Sequence, residues 1–181
     1  MRKIDSTMTT EILPAVARVR SVVGSIPHRY LHISTQRQTL TLFDNNRAHL
    51  TFTISTSRFG TGNRDGSFQT PPGVHRICSK IGAGAPAGRI FRDRIDTGED
   101  CCIGQPGSNM ILTRIIRLEG LEPGINKGTG IDSCDRYIYL HGTNNEDRIG
   151  TPLSLGCVCM KNNDIIALFD MVKEGDIVVI D

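Results

Sequence analysis

Short apolar runs with a period of two are the feature that most constrains the fold of this 181-residue chain. Tyr30–Ser34 and Gln38–Phe43 alternate apolar and polar residues and flank a short polar turn, as the two strands of a hairpin do. Leu50–Ser55 alternates in the same way, and Ile111–Leu118 and Tyr137–Leu140 are apolar enough to be interior strands. The pattern therefore predicts a mainly β (β-rich α+β) fold, and the length suits one ordinary domain with its own hydrophobic core.

Two segments have the period of a helix instead. Residues 6–24 carry apolar residues at spacings of three and four and end at Gly24, which predicts an amphipathic N-terminal helix. Asp164–Val172 has the same spacing, and Asn162 or Asn163 is expected to cap it. A last strand is predicted over Asp176–Ile180. The chain thus divides into an N-terminal helical extension, residues 1–28, and a β-rich domain, residues 29–181.

Two segments rich in glycine and proline interrupt the strands. Residues 60–73 are predicted to be loop, followed by a short strand over 74–77. Residues 82–110 have weak periodicity, and a long irregular segment inside a compact domain is more often a functional loop or lid than filler.

Composition excludes some function classes. The 21 basic and 19 acidic residues nearly balance and Trp is absent, so neither a basic face nor a base-stacking platform for nucleic acid is expected. No apolar run approaches the roughly 20 residues of a membrane-spanning helix, so we expect no membrane insertion. Polar residues at the N-terminus leave no apolar core for a secretory signal. A cytoplasmic location is expected, or a periplasmic one if the protein is exported.

Six cysteines are present, and in a chain of this size without a visible secretion signal we expect all of them to be reduced thiols. Cys157 follows Gly156 and lies sixteen positions after His141, which comes directly after a predicted strand. An adjacent histidine is the usual activator of a thiol nucleophile, so the pair indicates covalent catalysis without a metal or cofactor. Spacing alone leaves two alternatives open, namely a buried structural cysteine and a zinc site that adds Cys159 and Cys134.

The end of the chain resembles the signature of the L,D-transpeptidase (YkuD-type) catalytic domain. The likeness covers about residues 29–181, and its motifs follow the family's order. They are His141-Gly142-Thr143, Gly150-Thr151-Pro152, Ser154-Leu155-Gly156-Cys157 followed by Val158 and Met160, Asn163-Asp164 before the last helix, and, upstream, Thr70 to His75.

The resemblance implies a twisted β-sandwich or open barrel, with an N-terminal helix and a short helix after the catalytic motif. It makes Cys157 the nucleophile and His141 the general base, with the backbone carbonyl of Gly142 orienting the imidazole. The motif residues Leu155 and Gly156 lie at the oxyanion hole, which the amides of Gly156 and Cys157 would form. Ser154, Thr143 and Arg148 are the residues expected to bind substrate.

Two positions depart from the family pattern. Leu155 stands where the family often has His, which removes a second donor. Cys159 stands two residues after the nucleophile, where Arg or Asn is usual, and a thiol cannot replace an arginine that binds a carboxylate. Cys159 is then either a small buried side chain under the motif or a redox-sensitive second thiol.

The resemblance also implies a substrate, the peptidoglycan stem peptide or a muropeptide that carries it. The thiol would attack the carbonyl of the L-centre of the position-three diamino acid and release the terminal D-Ala. Water as acceptor gives L,D-carboxypeptidase activity, as in muropeptide recycling, which the expected location and Cys159 favour. Two alternatives are an L,D-transpeptidase that forms crosslinks or exchanges D-amino acids, and a non-catalytic cell-wall-binding module.

Overall fold

A computed structural model describes residues 6–104 and 107–181, with the backbone alone for residues 6–13. Ten strands and two helices follow one another along these residues, and a short 3-10 helix, Glu146–Arg148, precedes the last three elements. Their bounds are α1 Ser6–Val23, β1 Arg29–Ser34, β2 Thr39–Asp44, β3 Arg47–Ser55, β4 Gly73–Ile81, β5 Arg89–Arg92, β6 Ile95–Asp100, β7 Leu112–Gly120, β8 Tyr139–Gly142, β9 Val158–Met160, α2 Asn162–Met171 and β10 Ile177–Ile180.

The strands form one sheet that closes on itself. Its order is β4-β10-β1-β2-β3-β9-β8-β7, and β4 also pairs with β7, so these strands make a closed barrel. The β5–β6 hairpin is attached to the outer side of β7. Two of the pairings, β1 with β10 and β8 with β9, are parallel, while the others are antiparallel. The predicted mainly β fold is confirmed, and the barrel is closed rather than open.

The main hydrophobic core joins the barrel strands to α2. Ile165, Leu168 and Phe169 of α2 are buried in the same cluster as Leu140 of β8 and Val158 of β9. Burying a side chain of this size stabilises the fold by about 1.5–3 kcal/mol. Packing against α2 therefore holds β8 and β9, the two strands that carry the candidate motif, in place.

Helix α1 packs on the outside of the barrel. Ala15 and Val19 are buried against a second cluster that includes Tyr30 and Val74. The guanidinium of Arg18 donates to the carboxylate of Glu122 at 3.0 Å. Neither described helix is long and apolar enough to cross a membrane. That residues 1–28 form an extension to a domain of residues 29–181 stays a prediction.

The segment 82–110 departs from the prediction of irregular loop, because it contains the β5–β6 hairpin. Arg89 on β5 forms ion pairs with Asp96 and Asp100, and Phe91 is buried against β7 and its neighbours. The residues of β6 are mostly exposed, so this strand has none of the apolar alternation that marks the others in the sequence.

Other predicted elements are present with shifted ends. The strand predicted over 74–77 extends to Ile81, and the strand predicted over Tyr137–Leu140 is β8, which includes His141. Helix α2 begins at Asn162 after Lys161 as N-cap, with no side-chain cap, so the predicted asparagine cap is wrong. The side chain of Asn162 is used at the candidate site instead.

Candidate active site

The parallel pairing of β8 with β9 brings together the residues that the motif predicts to be reactive. His141 lies opposite Cys159 in the register of the two strands, and Gly142 lies opposite Met160. Cys157 directly precedes β9, and because side chains two apart in an extended chain point to the same side, both thiols face the side of His141.

His141 is oriented by the backbone. Its Nδ1 lies 2.8 Å from the carbonyl oxygen of Gly142, and because a carbonyl only accepts, Nδ1 carries the proton and Nε2 has the lone pair. Burial lowers the pKa of His141 to about 4, although the hydrogen bond to Gly142 acts in the opposite direction. The imidazole is therefore neutral at pH 7 and can accept a proton at Nε2.

Cys157 is the more accessible of the two thiols. Its side chain is partly exposed, and its sulfur donates to the carbonyl oxygen of Tyr137 at 3.4 Å. Burial raises the pKa of Cys157 to about 11, while a backbone hydrogen bond from Tyr139 and the positive charge of Arg136 lower it in part. The resting group is thus a thiol, and its proton must leave as it attacks a substrate.

Cys159 is fully buried beneath the motif. Its sulfur lies 3.9 Å from Nε2 of His141 and accepts a hydrogen bond from Nδ2 of Asn109 at 3.2 Å. Burial, together with the nearby Cys157, raises its pKa. A substrate cannot reach this sulfur without rearrangement. The placement fits the interpretation of Cys159 as a small buried side chain, although it is the thiol that contacts the imidazole directly.

The hydroxyl of Ser154 helps to hold the turn before the nucleophile. Ser154 Oγ donates to the carbonyl oxygen of Cys157 at 2.5 Å and accepts from the amide of Gly156 at 3.2 Å. Gly156 has φ +122°, and a Cβ there would lie 3.3 Å from Ile138 and 3.4 Å from the carbonyl of Gln69. The amide of Gly156 is therefore occupied, which leaves the amide of Cys157 as the predicted oxyanion donor.

The other residues predicted to act at the site divide into two groups. Leu155 and Arg148 line the cleft beside Cys157. Ser154 and Thr143 are fully buried, and the hydroxyl of Thr143 donates to Asn109 Oδ1 at 2.7 Å. Since their hydroxyls are used inside the protein, the structure does not place Ser154 and Thr143 where a substrate would touch them.

His141 and Cys157 line one cleft of about 380 Å³. A larger cavity of about 530 Å³ lies at the β2–β3 turn, away from both residues. The cleft combines apolar walls with amide groups and two exposed guanidinium groups, which suits a peptide with a charged end. Its walls are formed by Arg58, Gly107, Ser108, Asn109, Ile111, His141, Asn145, Arg148, Leu153, Leu155 and Cys157.

For two asparagines the sequence did not indicate a role at the site. Asn162 Nδ2 donates to the carbonyl of Thr143 at 2.8 Å and to Glu146 at 2.6 Å. A Cβ on Gly142 would lie 2.3 Å from Asn162 Oδ1, so the glycine after the base is needed for this close approach. Asn109 connects Cys159 to Thr143 from a segment whose glycine- and serine-rich sequence predicts only loop.

Arg136 is a third residue that the sequence did not indicate. Its guanidinium donates to the carbonyl oxygens of Gly62 at 3.1 Å and Gln69 at 2.7 Å. The carbonyl of Gln69 lies beside Gly156, so these bonds hold a cation next to the nucleophile turn. In the sequence, only its position just before β8 points to a role for Arg136 at the site, and a position of this kind is a weak indication.

No group of three or more His, Cys, Asp or Glu side chains within residues 6–104 and 107–181 is arranged to hold a metal ion. The zinc alternative has no geometry to support it in these segments. The six cysteines are all free thiols.

The charge of Arg136 predicts a measurable effect on Cys157. With a pKa of about 11, Cys157 should be alkylated by iodoacetamide at a rate that rises about tenfold per pH unit from pH 6 to 10, because only the thiolate reacts. Arg136→Gln should slow the reaction at pH 8 several-fold, and Arg136→Lys, which keeps the charge, should slow it less. Peptide mass spectrometry of the Cys157 site gives the rate. A plateau near pH 7, or equal rates in all three proteins, would contradict this assignment.

Comparisons with known proteins identify the family. The model of the L,D-transpeptidase catalytic domain (YkuD) matches residues 28–180. A search of curated proteins found no match. Solved structures with a similar fold include an L,D-transpeptidase from Mycobacterium smegmatis, at TM-score 0.54 and 16% identity over 85% of this chain and 58% of that one.

Two further solved structures have the same fold. L,D-transpeptidase 3 from Mycobacterium tuberculosis, in complex with a faropenem-derived adduct, has TM-score 0.52 and 16% identity over 87% of this chain and 61% of that one. An L,D-transpeptidase from Enterococcus faecium has TM-score 0.52 and 14% identity over 86% of this chain and 50% of that one. The chain spans between half and about three fifths of these proteins. On the match over residues 28–180, the chain belongs to the L,D-transpeptidase (YkuD) catalytic-domain family.

Proposed function

We propose that this protein is a cysteine acyl-transfer enzyme that acts on peptidoglycan stem peptides. The observation that carries the proposal is the shared cleft of Cys157 and His141, a partly exposed thiol and a neutral imidazole whose Nε2 carries the lone pair. Membership of the family supplies the substrate class.

The proposed reaction begins with a concerted proton transfer. Cys157 Sγ attacks the carbonyl carbon of the L-centre of the position-three diamino acid while its proton passes to His141 Nε2. The carbonyl electron pair moves to the oxygen, where the amide of Cys157 donates a hydrogen bond. Collapse of this intermediate breaks the peptide bond, and the leaving amine of D-Ala takes the proton from His141. The product is a thioester on Cys157.

Because His141 is buried, protonating it to the imidazolium costs free energy, and a neighbouring group must stabilise the charged ring. The Gly142 carbonyl accepts from Nδ1 at 2.8 Å and thereby stabilises the ring when Nε2 gains a proton. This is the role that a carboxylate has in other catalytic triads. A carbonyl dipole supports the imidazolium less than a full negative charge would, so the proton remains on it only briefly.

Arg58 and Arg148 are proposed to bind the carboxylate of the terminal D-Ala. Both are exposed cations on the wall of the cleft that holds Cys157. A guanidinium matches a carboxylate with two parallel hydrogen bonds. Arg148 was expected to bind substrate from the sequence, and Arg58 is added by the structure.

Arg148→Gln should raise the KM for a disaccharide tetrapeptide about tenfold and change kcat little, because the lost bond forms in both the bound substrate and the transition state. Arg47→Gln, at the exposed β2–β3 turn, is the matched control. Steady-state kinetics of D-Ala release measure both constants. An unchanged KM in Arg148→Gln would remove this arginine from the binding site.

Hydrolysis is the proposed fate of the thioester, which makes the enzyme an L,D-carboxypeptidase. Water needs only a base that removes its proton as it attacks the thioester. His141 can be that base, because its Nε2 has given up its proton by the time D-Ala leaves. An amine from a second stem peptide must also be held beside the thioester. The arginine that the family usually has near the motif could help to hold this second peptide. In this chain Cys159 stands at that position, and its side chain is buried. Crosslinking or exchange of D-amino acids is the alternative, since the chemistry up to the thioester is the same.

Incubation with disaccharide tetrapeptide, followed by mass spectrometry of the products, tests the proposal. Tripeptide and free D-Ala in equal amounts are expected, with no product from Cys157→Ala, whose far-ultraviolet circular dichroism should match the wild type. Crosslinked dimers or exchanged tetrapeptides without tripeptide would replace hydrolysis by transpeptidation. No turnover of any kind, with the substrate still bound, would show a cell-wall-binding module.

A further inference from the structure

Two thiols lie together outside the cleft. Cys78 is on β4, at the point where the register with β7 shifts between Ile77 and Ser79. Cys134 is in the segment that connects β7 to β8. Both are partly exposed, and neither has a part in the proposed reaction.

One cation from β7 joins the two. Arg117 lies opposite Ser79, next to Cys78, and its Nη2 donates to Cys134 Sγ at 3.3 Å. Burial raises the pKa of the Cys78 thiol, and so do the charge of Cys134 and a side-chain hydrogen bond to it, which agrees with the placement of both cysteines beside Arg117. The fold has thus brought together two sulfurs that are distant in sequence, beside a positive charge.

We propose that Cys78 and Cys134 are a redox-active dithiol that closes to an intramolecular disulfide by exchange with a disulfide oxidant. This inference does not depend on the proposed function. A guanidinium beside the sulfur stabilises the negative charge that thiol–disulfide exchange develops there. The other cysteines are less suited, because Cys101 and Cys102 are adjacent and Cys159 is fully buried.

The exchange has two steps. The thiolate of Cys134, after losing its proton to solvent, attacks one sulfur of the oxidant and releases the other as a thiol. Cys78, likewise deprotonated, then attacks Cys134 Sγ and displaces the remaining half as a second thiol. The two cysteines lose two hydrogens and two electrons, and the oxidant disulfide is reduced to two thiols.

The position of Cys134 gives the disulfide a structural consequence. The amide of Tyr137 donates to the carbonyl of Cys134 at 3.1 Å, and the carbonyl of Tyr137 accepts from the thiol of Cys157. The disulfide would link this turn, which positions the carbonyl of Tyr137, to β4. Because it closes a long loop, it should also raise the Tm by about 5 °C or more.

Oxidised glutathione is the probe for this dithiol. After incubation with the folded protein, non-reducing peptide mapping should show a Cys78–Cys134 crosslink and the loss of two of the six titratable thiols. Cys102→Ser, which removes an exposed thiol, should form the crosslink at the wild-type rate. Cys78→Ser, which lacks the resolving thiol, should accumulate a stable glutathione adduct on Cys134.

The test with Cys78→Ser does not depend on a loss of signal that misfolding could also cause, because the expected outcome is a new product, the glutathione adduct on Cys134. Far-ultraviolet circular dichroism checks that each variant is folded. The proposal is overturned if Cys78 and Cys134 stay reduced while Cys102 is glutathionylated. It is equally overturned if the wild type keeps a glutathione adduct on Cys134 with Cys78 free, or if either cysteine crosslinks elsewhere.

Discussion

The short parallel pairing of β8 with β9 is the constraint on which the candidate site depends. Three residues of each strand are in register, and this places His141 beside the thiols at and just before β9. The pairing is fixed from several directions, since α2 packs on the core side and Asn162 bonds to the chain beyond β8. A one-residue slip would turn His141 to the other face of the sheet.

Burial sets the protonation state of the pair. The pKa of Cys157 is raised to about 11 and that of His141 is lowered to about 4, so at neutral pH the site holds a thiol and a neutral imidazole rather than a thiolate and an imidazolium. Charge then develops only with attack on a carbonyl. Such a thiol is slow to react with oxidants and small electrophiles, and selectivity comes from a substrate that the cleft positions.

Much of the fold and part of the site could be predicted from the sequence. Alternation over Tyr30–Ser34 and the helical period of Asp164–Val172 are local signals, and the ordered motif from His141 to Cys157 located the reactive strands. The exposed β6 and the contacts of Arg136 could not be predicted, because hydrogen bonds to loop carbonyls depend on which segments meet in space. The burial of the Ser154 and Thr143 hydroxyls could not be predicted either, because a sequence motif does not show which of its side chains point into the protein.

The central claim is that Cys157, and not the Cys159 that contacts His141, becomes acylated. Intact mass spectrometry after incubation with a carbapenem tests this most directly, with Cys157→Ala and Cys159→Ala compared under identical conditions. We predict one adduct on the wild type and on Cys159→Ala, and none on Cys157→Ala. An adduct that persists in Cys157→Ala and disappears in Cys159→Ala would contradict the account.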